Sequence, residues 1–377
     1  MRLTSHERLM RIFQNKEIDR PSLKLWGAGL DPEFAIHPAY LPVNRLALEK
    51  TDLLGGVGFP FDIYAGRNMG RYKETYTTTT DNPDWQDAHT VLHTPKGDLH
   101  MIERQSLRGE HDYIVEHMIK EPEDIDAMLS MEYEPFDFDR AGYDAAVAHM
   151  GDRGVVSVEL SHAGYAAQRM MGSETLAYFS VDERERLQEL IRVFGQRLEN
   201  HTKQILSLGI EEPVFSWVGP EVLQPPLLRP EDFEEFVHDI DKPICDLIHN
   251  AGGHVWVHSH GKVAKLIDSY IDMGVDVLNP LEPPKNGDVF MDELVARYGN
   301  RIGWEGNIEI QELLLSSRDR ICQLIDECVE AGWKSGRFIL CPSAGYMEYI
   351  RPTEQYIENL LFYLNYGYEA VERCRKD

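Results

Sequence analysis

From Gly154 onward the chain alternates short apolar runs with long amphipathic stretches, and this rhythm limits the folds open to it more than any other feature. Strand-like runs fall at 155–159, 213–218, 254–258, 275–279, 301–305 and 338–341. Helical patterns separate them at 182–208, 231–250, 263–273, 290–298 and 318–331, and a last one covers 353–374. Strands alternating with helices imply a parallel sheet, because a parallel connection needs a crossover long enough to hold a helix. Two earlier apolar runs, 23–26 and 52–59, bring the strands to eight, the number that closes a (β/α)8 TIM barrel. An open doubly wound sheet is the competing architecture, and no Gly-x-Gly-x-x-Gly follows the first strand to support it.

The remaining pieces fit around that barrel. Thr4 and Glu7 have capping-box spacing, with Leu9, Ile12 and Phe13 on one face, so an N-terminal helix is expected and Asp19-Arg20-Pro21 ends it. Residues 60–150 read differently. A Thr-rich exposed strand at 72–80 precedes a hairpin turning at 95–98, and short helices follow at 121–131 and 140–150. The expected organisation is one barrel domain over 1–377, with 60–150 as an inserted β-hairpin and helical region.

Composition narrows the function. Thirty-eight Lys and Arg against 64 Asp and Glu leave −26, which excludes nucleic acid and anionic membranes as natural partners. Five scattered cysteines without a Cys-x-x-Cys, and no apolar leader or membrane-length run, point to reduced thiols in a cytoplasmic enzyme.

In a closed barrel the chemistry sits at the C-terminal ends of the strands. Those positions hold Trp26, Glu159 to His162, Glu221, His258-Ser259-His260, Asn279 with Glu282, Glu305 with Asn307, and Cys341. Each has a plain and a functional reading. His258 either caps backbone groups or binds a metal. Glu221, set just past a strand by Gly219-Pro220, is either ion-paired or a ligand. Glu235 lies on the next helix and reads first as solvated surface. Cys341 is either an inert buried thiol or a soft ligand. His162 is equally a structural histidine or a wall of the substrate site. Trp26 and Tyr64, with Phe59 and Phe61, either pack the core or wall an aromatic pocket.

Taken together, Phe215-Ser216-Trp217-Val218-Gly219-Pro220, Phe233 to Val237, Gly274 to Asn279 and Gly306-Asn307-Ile308 resemble the uroporphyrinogen decarboxylase superfamily, from Thr4 to about Glu372. That resemblance implies a (β/α)8 barrel. The decarboxylases carry an Arg-containing segment after the first strand to clamp substrate carboxylates; here the region reads Leu25-Trp26-Gly27-Ala28-Gly29-Leu30. His258-Ser259-His260-Gly261 is similar instead to the His-x-Cys-Gly of the corrinoid-dependent methyltransferases, with His260 in the place of a zinc-binding cysteine. With Pro220-Glu221 and Leu281-Glu282-Pro283-Pro284, the combination looks most like the O-demethylase methyltransferases. The resemblance implies transfer of a methyl group from a small methoxylated, aromatic compound to a separate corrinoid (cobalamin) protein. It implies zinc held by Glu221, His258 and Glu235, with Cys341 as a further candidate, and makes Glu221 and His258 the catalytic pair. Trp26, His162 and Tyr64 become the substrate-binding residues. The chain has no Asp-x-His-x-x-Gly of its own for corrinoid, since Leu92 stands where Asp87-Ala88-His89 would need glycine. A homodimer is compatible with this reading. A metal-free decarboxylase and a non-catalytic corrinoid or tetrapyrrole binder are the alternatives.

Overall fold

The computed structural model of the protein describes residues 2–347 and 351–376. In chain order, β1 (Ser22–Leu23) and β2 (Leu53–Gly58) come first. Then follow β3 (Lys73–Thr79), β4 (Trp85–Thr94), β5 (Gly97–Ser106) and β6 (Tyr113–Glu116). The rest are β7 (Gly154–Leu160), β8 (Val214–Val218), β9 (His254–His258), β10 (Val277–Asn279), β11 (Gly303–Ile308) and β12 (Phe338–Pro342). Strands β1, β2 and β7 to β12 form one parallel sheet in the order β1-β12-β11-β10-β9-β8-β7-β2. Its two edges meet where Asp52 N donates to Leu23 O at 2.8 Å. Sequence neighbours are thus spatial neighbours around a TIM-type barrel, and the eight expected strands are the eight observed.

The barrel is filled in layers. Helix α1 (Ser5–Phe13) begins with the expected capping box: Glu7 N donates to Thr4 Oγ1 at 3.1 Å and Thr4 N to Glu7 Oε2 at 2.8 Å. Its apolar face (Leu9, Ile12, Phe13) plugs the N-terminal end against inward residues Val155, Val214, Val277 and Ile339. Above this floor the interior turns polar, with Ser157, Ser216, Lys24, Glu305 and Cys341, and polar atoms there must find partners.

Alpha-helix α1 is fastened by charge as well. Arg8 is buried and donates from Nε to Asp19 and from Nη1 to Asp52, both at 2.8 Å. Burial would raise the Asp19 carboxyl, but the Arg8 hydrogen bonds and charge prevail and bring it down to about 2. Its folded value lies below the unfolded one, so this stabilisation is present above about pH 4 and is lost as pH falls through about 2. Arg8→Met is expected to cost about 1.5–3 kcal/mol in urea unfolding at neutral pH, since it removes the charged hydrogen bonds to two buried carboxylates while Arg375 still holds Asp19 and Arg20 and Ser22 still hold Asp52. A loss under about 1 kcal/mol would contradict this.

Between β2 and β7, strands β3 to β6 form an antiparallel sheet in that order, and Leu92 and Leu99 pack into the main core. The hairpin turns through Pro95-Lys96, between the paired Thr94 and Gly97. Strand β6 and helix Leu41–Lys50 were not anticipated from the sequence. Nor was helix Ala163–Asp182, which precedes helix Arg184–Leu206. Its pattern is interrupted at Gly172, where φ is +75° and a Cβ would lie 2.6 Å from His117 Nε2. The expected helix over 231–250 contains one π turn, Glu234–His238. No helix among the described residues is long and apolar enough to cross a membrane.

Candidate active site

Period-2 alternation decides which strand residues look into the barrel. Along β1 and its extension Lys24 and Trp26 face inward, on β9 Trp256 and His258, on β11 Glu305 and on β12 Cys341. Strand β2 offers Gly56 on the same side, and the Glu159 carboxylate lies over it where a Cβ would fall 1.7 Å from Oε1. The result is a cavity of about 530 Å³ walled by β1, β2, β7, β8 and Trp256. Trp26 stands edge-on to Trp256 at 5.7 Å and to His258 at 3.8 Å between ring centroids, so it forms the wall shared by cavity and histidine.

A buried relay sets the state of His258. Glu305 is fully buried and accepts from Lys24 Nζ at 2.7 Å, Trp256 Nε1 at 2.9 Å and Asn279 Nδ2 at 3.1 Å. With its amide nitrogen turned to Glu305, Asn279 presents Oδ1 to His258 Nδ1 at 2.6 Å. His258 Nδ1 must therefore carry the proton, and Nε2 keeps a lone pair. Burial, reinforced by the charge of His260, holds this imidazole well below the usual histidine range, so it is neutral.

His260 has the opposite setting. Its ring meets that of His258 at 4.4 Å, and its Nδ1 lies 2.9 Å from Glu282 Oε1. Glu282 is fixed in turn by Gly261 N, which donates to Oε2 at 2.7 Å. Burial pulls the His260 imidazole down, but the Glu282 bond and the charges of Glu282, Glu221 and Glu309 outweigh it, so its pKa is raised. Gln224 braces the turn. Its Nε2 donates to His260 O, and its Oε1 accepts from Ser259 Oγ at 3.0 Å and Tyr270 OH at 3.1 Å. Glu309 completes the acidic side: burial, then the Glu282 charge, raise its pKa against the Asn286 and Ser343 bonds. Its Oε1 is buried and lacks a hydrogen-bond partner among the described residues. Two adjacent imidazoles are thus biased in opposite directions, His258 toward the neutral form and His260 toward the protonated one.

The structure brings together only part of the expected set. Glu221 sits in the turn Pro220–Leu223, accepts from Gly219 N at 3.1 Å and acts on His260 by charge. Glu235 instead pairs with Arg184, which also holds Asp232 at 2.8 Å, on the outer helices. Cys341 is in the lumen, but burial and the Glu305 charge push its thiol well up and keep it protonated. His162 caps helix Ala163–Asp182 by accepting from Tyr165 N at 3.2 Å, and its Nε2 lies 3.1 Å from Asp241. It is thereby used in packing helix to helix, not in walling the cavity. Tyr64 is spent on Ala166 O at 3.2 Å and on Phe194, away from the cavity lining. Asn307 faces outward to Cys328. Glu221, His258, Glu235 and Cys341 therefore do not form one donor set, and among the described residues no three His, Cys, Asp or Glu side chains are grouped to hold a metal ion. The donors present do not fit the zinc site that the resemblance implies.

Lys24, Gln224 and Glu309 were missed from the sequence. Lys24 had a readable signal: it lies two residues before Trp26 in an apolar strand, so it shares that inward face and must find a carboxylate there. Gln224 and Glu309 lie on loops, where no period marks direction.

The uroporphyrinogen decarboxylase (URO-D) family model matches residues 165–355, just over half of the chain. A search of curated proteins finds no match. Among solved structures, a methyltransferase from Methanosarcina mazei superposes with a TM-score of 0.59 at 14% identity, covering 97% of this chain and 99% of that one. A muconate lactonizing enzyme from Pseudomonas putida reaches a TM-score of only 0.24 at 11% identity, over 73% of this chain and 80% of that one. The first of these agrees in fold along nearly the whole length. Since that model matches more than half of the chain, in a segment that carries β8 to β12 and both rim histidines, the chain belongs to the uroporphyrinogen decarboxylase (URO-D) family.

Proposed function

We propose that this member of the family is a methyltransferase that takes a methyl group from a small methoxylated, aromatic compound and passes it to the cobalt of a corrinoid carried by a separate protein. The observation that carries this reading is the pair of adjacent rim imidazoles, His258 with its pKa lowered and His260 bonded to Glu282 with its pKa raised, which Trp26, in contact with His258, links to an indole-walled cavity. A methoxy oxygen is a poor leaving group unless its developing charge is met by a proton. When docked, the corrinoid supplies the nucleophile. As the methyl carbon is taken in line, the C–O electron pair passes to oxygen, and the proton on His260 Nε2 follows it. Glu282 holds the imidazolium in place for that transfer, and His258 Nε2 offers an acceptor for a polar substituent of the donor. Trp26 and Trp256 provide the flat apolar wall on which an aromatic ring packs.

Porphyrinogen decarboxylation is less well served. Lys24 is the single Lys or Arg among the cavity's lining residues, and Glu305 already neutralises it, so a polycarboxylate finds no free cation there. The test is a methyl-donor screen with Co(I) corrinoid protein as acceptor, read by the absorbance of the methylated cobalt. Methylation dependent on a methoxyaromatic donor is expected. Consumption of uroporphyrinogen with no cobalt methylation overturns the proposal. Metal analysis of the purified protein checks the proton route separately. Stoichiometric zinc, lost in Glu221→Ala or His258→Ala, transfers the role given to the His260 proton to a metal.

A further inference from the structure

The cavity beside the rim histidines holds one charged side chain that the mechanism does not use. Along β7 the inward positions are Val155, Ser157 and Glu159, two residues apart, so the Glu159 side chain looks into the barrel. It is exposed to the cavity of about 530 Å³ that Trp26 and Trp256 wall. Gly56, on the neighbouring strand β2, leaves room for it, since a Cβ there would fall 1.7 Å from Glu159 Oε1.

The ionisable side chains of that lining are Lys24, Asp52 and Glu159. Lys24 donates to Glu305 at 2.7 Å, and Asp52 accepts from Arg8 Nη1 and Ser22 Oγ, both at 2.8 Å. The hydroxyls are used as well: Ser216 Oγ donates to Ser157 Oγ at 2.9 Å, and Ser157 Oγ to Gly55 O at 3.4 Å. Glu159 differs, with neither a cation nor a hydrogen-bond donor against its carboxylate among the described residues. A carboxylate facing apolar walls gains most from a group that donates a hydrogen bond and loses most from a second anion. Strand register fixes where it stands. Glu159 pairs with Ser216 and Ser216 with Trp256, so Glu159 lies level with Trp256 and one inward position deeper than His258. At ~4.8 Å between strands and ~3.3 Å per residue, the Glu159 and His258 backbones are on the order of 12 Å apart. Side chains pointing inward from both shorten that gap to the span of one substituted benzene ring with a hydrogen bond at each end.

We propose that Glu159 determines which methyl donors the cavity accepts: it takes the hydrogen bond of a ring hydroxyl at the end of the donor away from the methoxy group, and it rejects donors that carry a carboxylate there. This rests on the methyl-transfer reading, because it assigns the far end of the donor in that same site. A phenol O–H that donates to a carboxylate makes a short, charge-assisted bond, and indole walls keep out the water that would compete for it. A methoxybenzoate in the same pose sets two anions face to face. Lys24 does not offset them, since Glu305 already neutralises it. Glu159 touches no reacting atom, so its part is specificity and the proton transfer stays with the rim histidines.

The experiment measures binding of a matched series to the full chain without corrinoid, by isothermal calorimetry: 4-methoxyphenol, anisole, 4-methoxybenzoate and 4-methoxybenzylamine. The phenol is expected to bind tightest, about tenfold or more above anisole, and the benzoate weakest. Glu159→Gln should weaken the phenol by about tenfold and strengthen the benzoate, opposite changes that a loss of structure does not produce. Gly56→Ala, whose methyl group displaces the carboxylate, should shrink the phenol's advantage and carries the test if the Glu159 variant does not fold. Glu235→Gln, which removes a charge from the outer helices, should leave the order as it is. A benzoate that binds as well as the phenol, a series that Glu159→Gln does not alter, or a preference for the ammonium over the phenol overturns the proposal. The two readings fail separately. Absence of cobalt methylation with this binding order intact counts against methyl transfer alone, whereas equal methylation from the phenol and the benzoate removes the role of Glu159 and leaves methyl transfer standing.

Discussion

His260→Gln is expected to lower kcat for methyl transfer by about 10²–10⁴-fold, the usual range for loss of a positioned general acid, with little change in the KM of the methyl donor. Glutamine keeps a donor of similar reach but has no proton to give up to the departing oxygen. The pH dependence follows from the direction of the shift. Because Glu282, Glu221 and Glu309 raise the His260 pKa against burial, the imidazolium, and with it activity, persists toward neutral pH. Activity is lost as pH rises through the raised value. Glu282→Gln should move that alkaline limb toward lower pH, and His260→Gln should remove it. An unchanged limb in both variants would assign the proton to another group, with Glu309, whose own pKa is raised, as the next to test.

Glu305→Ala is expected to destabilise the fold by about 3–5 kcal/mol in denaturant unfolding. The substitution leaves the Lys24 ammonium buried without its partner, and it deprives Trp256 Nε1 and Asn279 Nδ2 of their acceptor at the same time. Glu305→Gln separates this structural role from the positioning role. Its amide keeps the volume, but it can face Asn279 with a donor, and Asn279 can then turn its own amide toward His258. His258 Nδ1 would become the acceptor and Nε2 the protonated nitrogen, reversing what the site presents to substrate. The expected result is a fall in kcat at modest cost in stability, with the tautomer change visible in ¹⁵N imidazole shifts. A kcat equal to wild type with the Nε2-protonated tautomer in place would show that the relay positions nothing needed for catalysis.

Much of the architecture was legible because a parallel barrel strand, covered on both faces, reads as a short unbroken apolar run. The alternation of such runs with helices is imposed by the crossover connection, so counting them counted the strands. Helix Ala163–Asp182 escaped because glycines at 164 and 172 dilute its pattern, and its packing against neighbours outweighs that local weakness. The rim positions of His258, Asn279 and Glu305 were also legible, since each lies within or at the end of a recognisable strand.

Partner choice was not. Glu235 looked available until the fold placed Arg184 beside it, His162 until Asp241 approached it, and Cys341 until its thiol proved to share the lumen with Glu305. The sequence by itself determined the order of the strands, the end of the barrel at which the histidines and carboxylates gather, and the residue types gathered there. Only the tertiary structure decided that His258 is biased toward its neutral form and His260 toward its protonated one. Spacing along a chain fixes which face a side chain is on, but its protonation depends on burial and on charges that strands and loops far apart in sequence bring within a few ångströms.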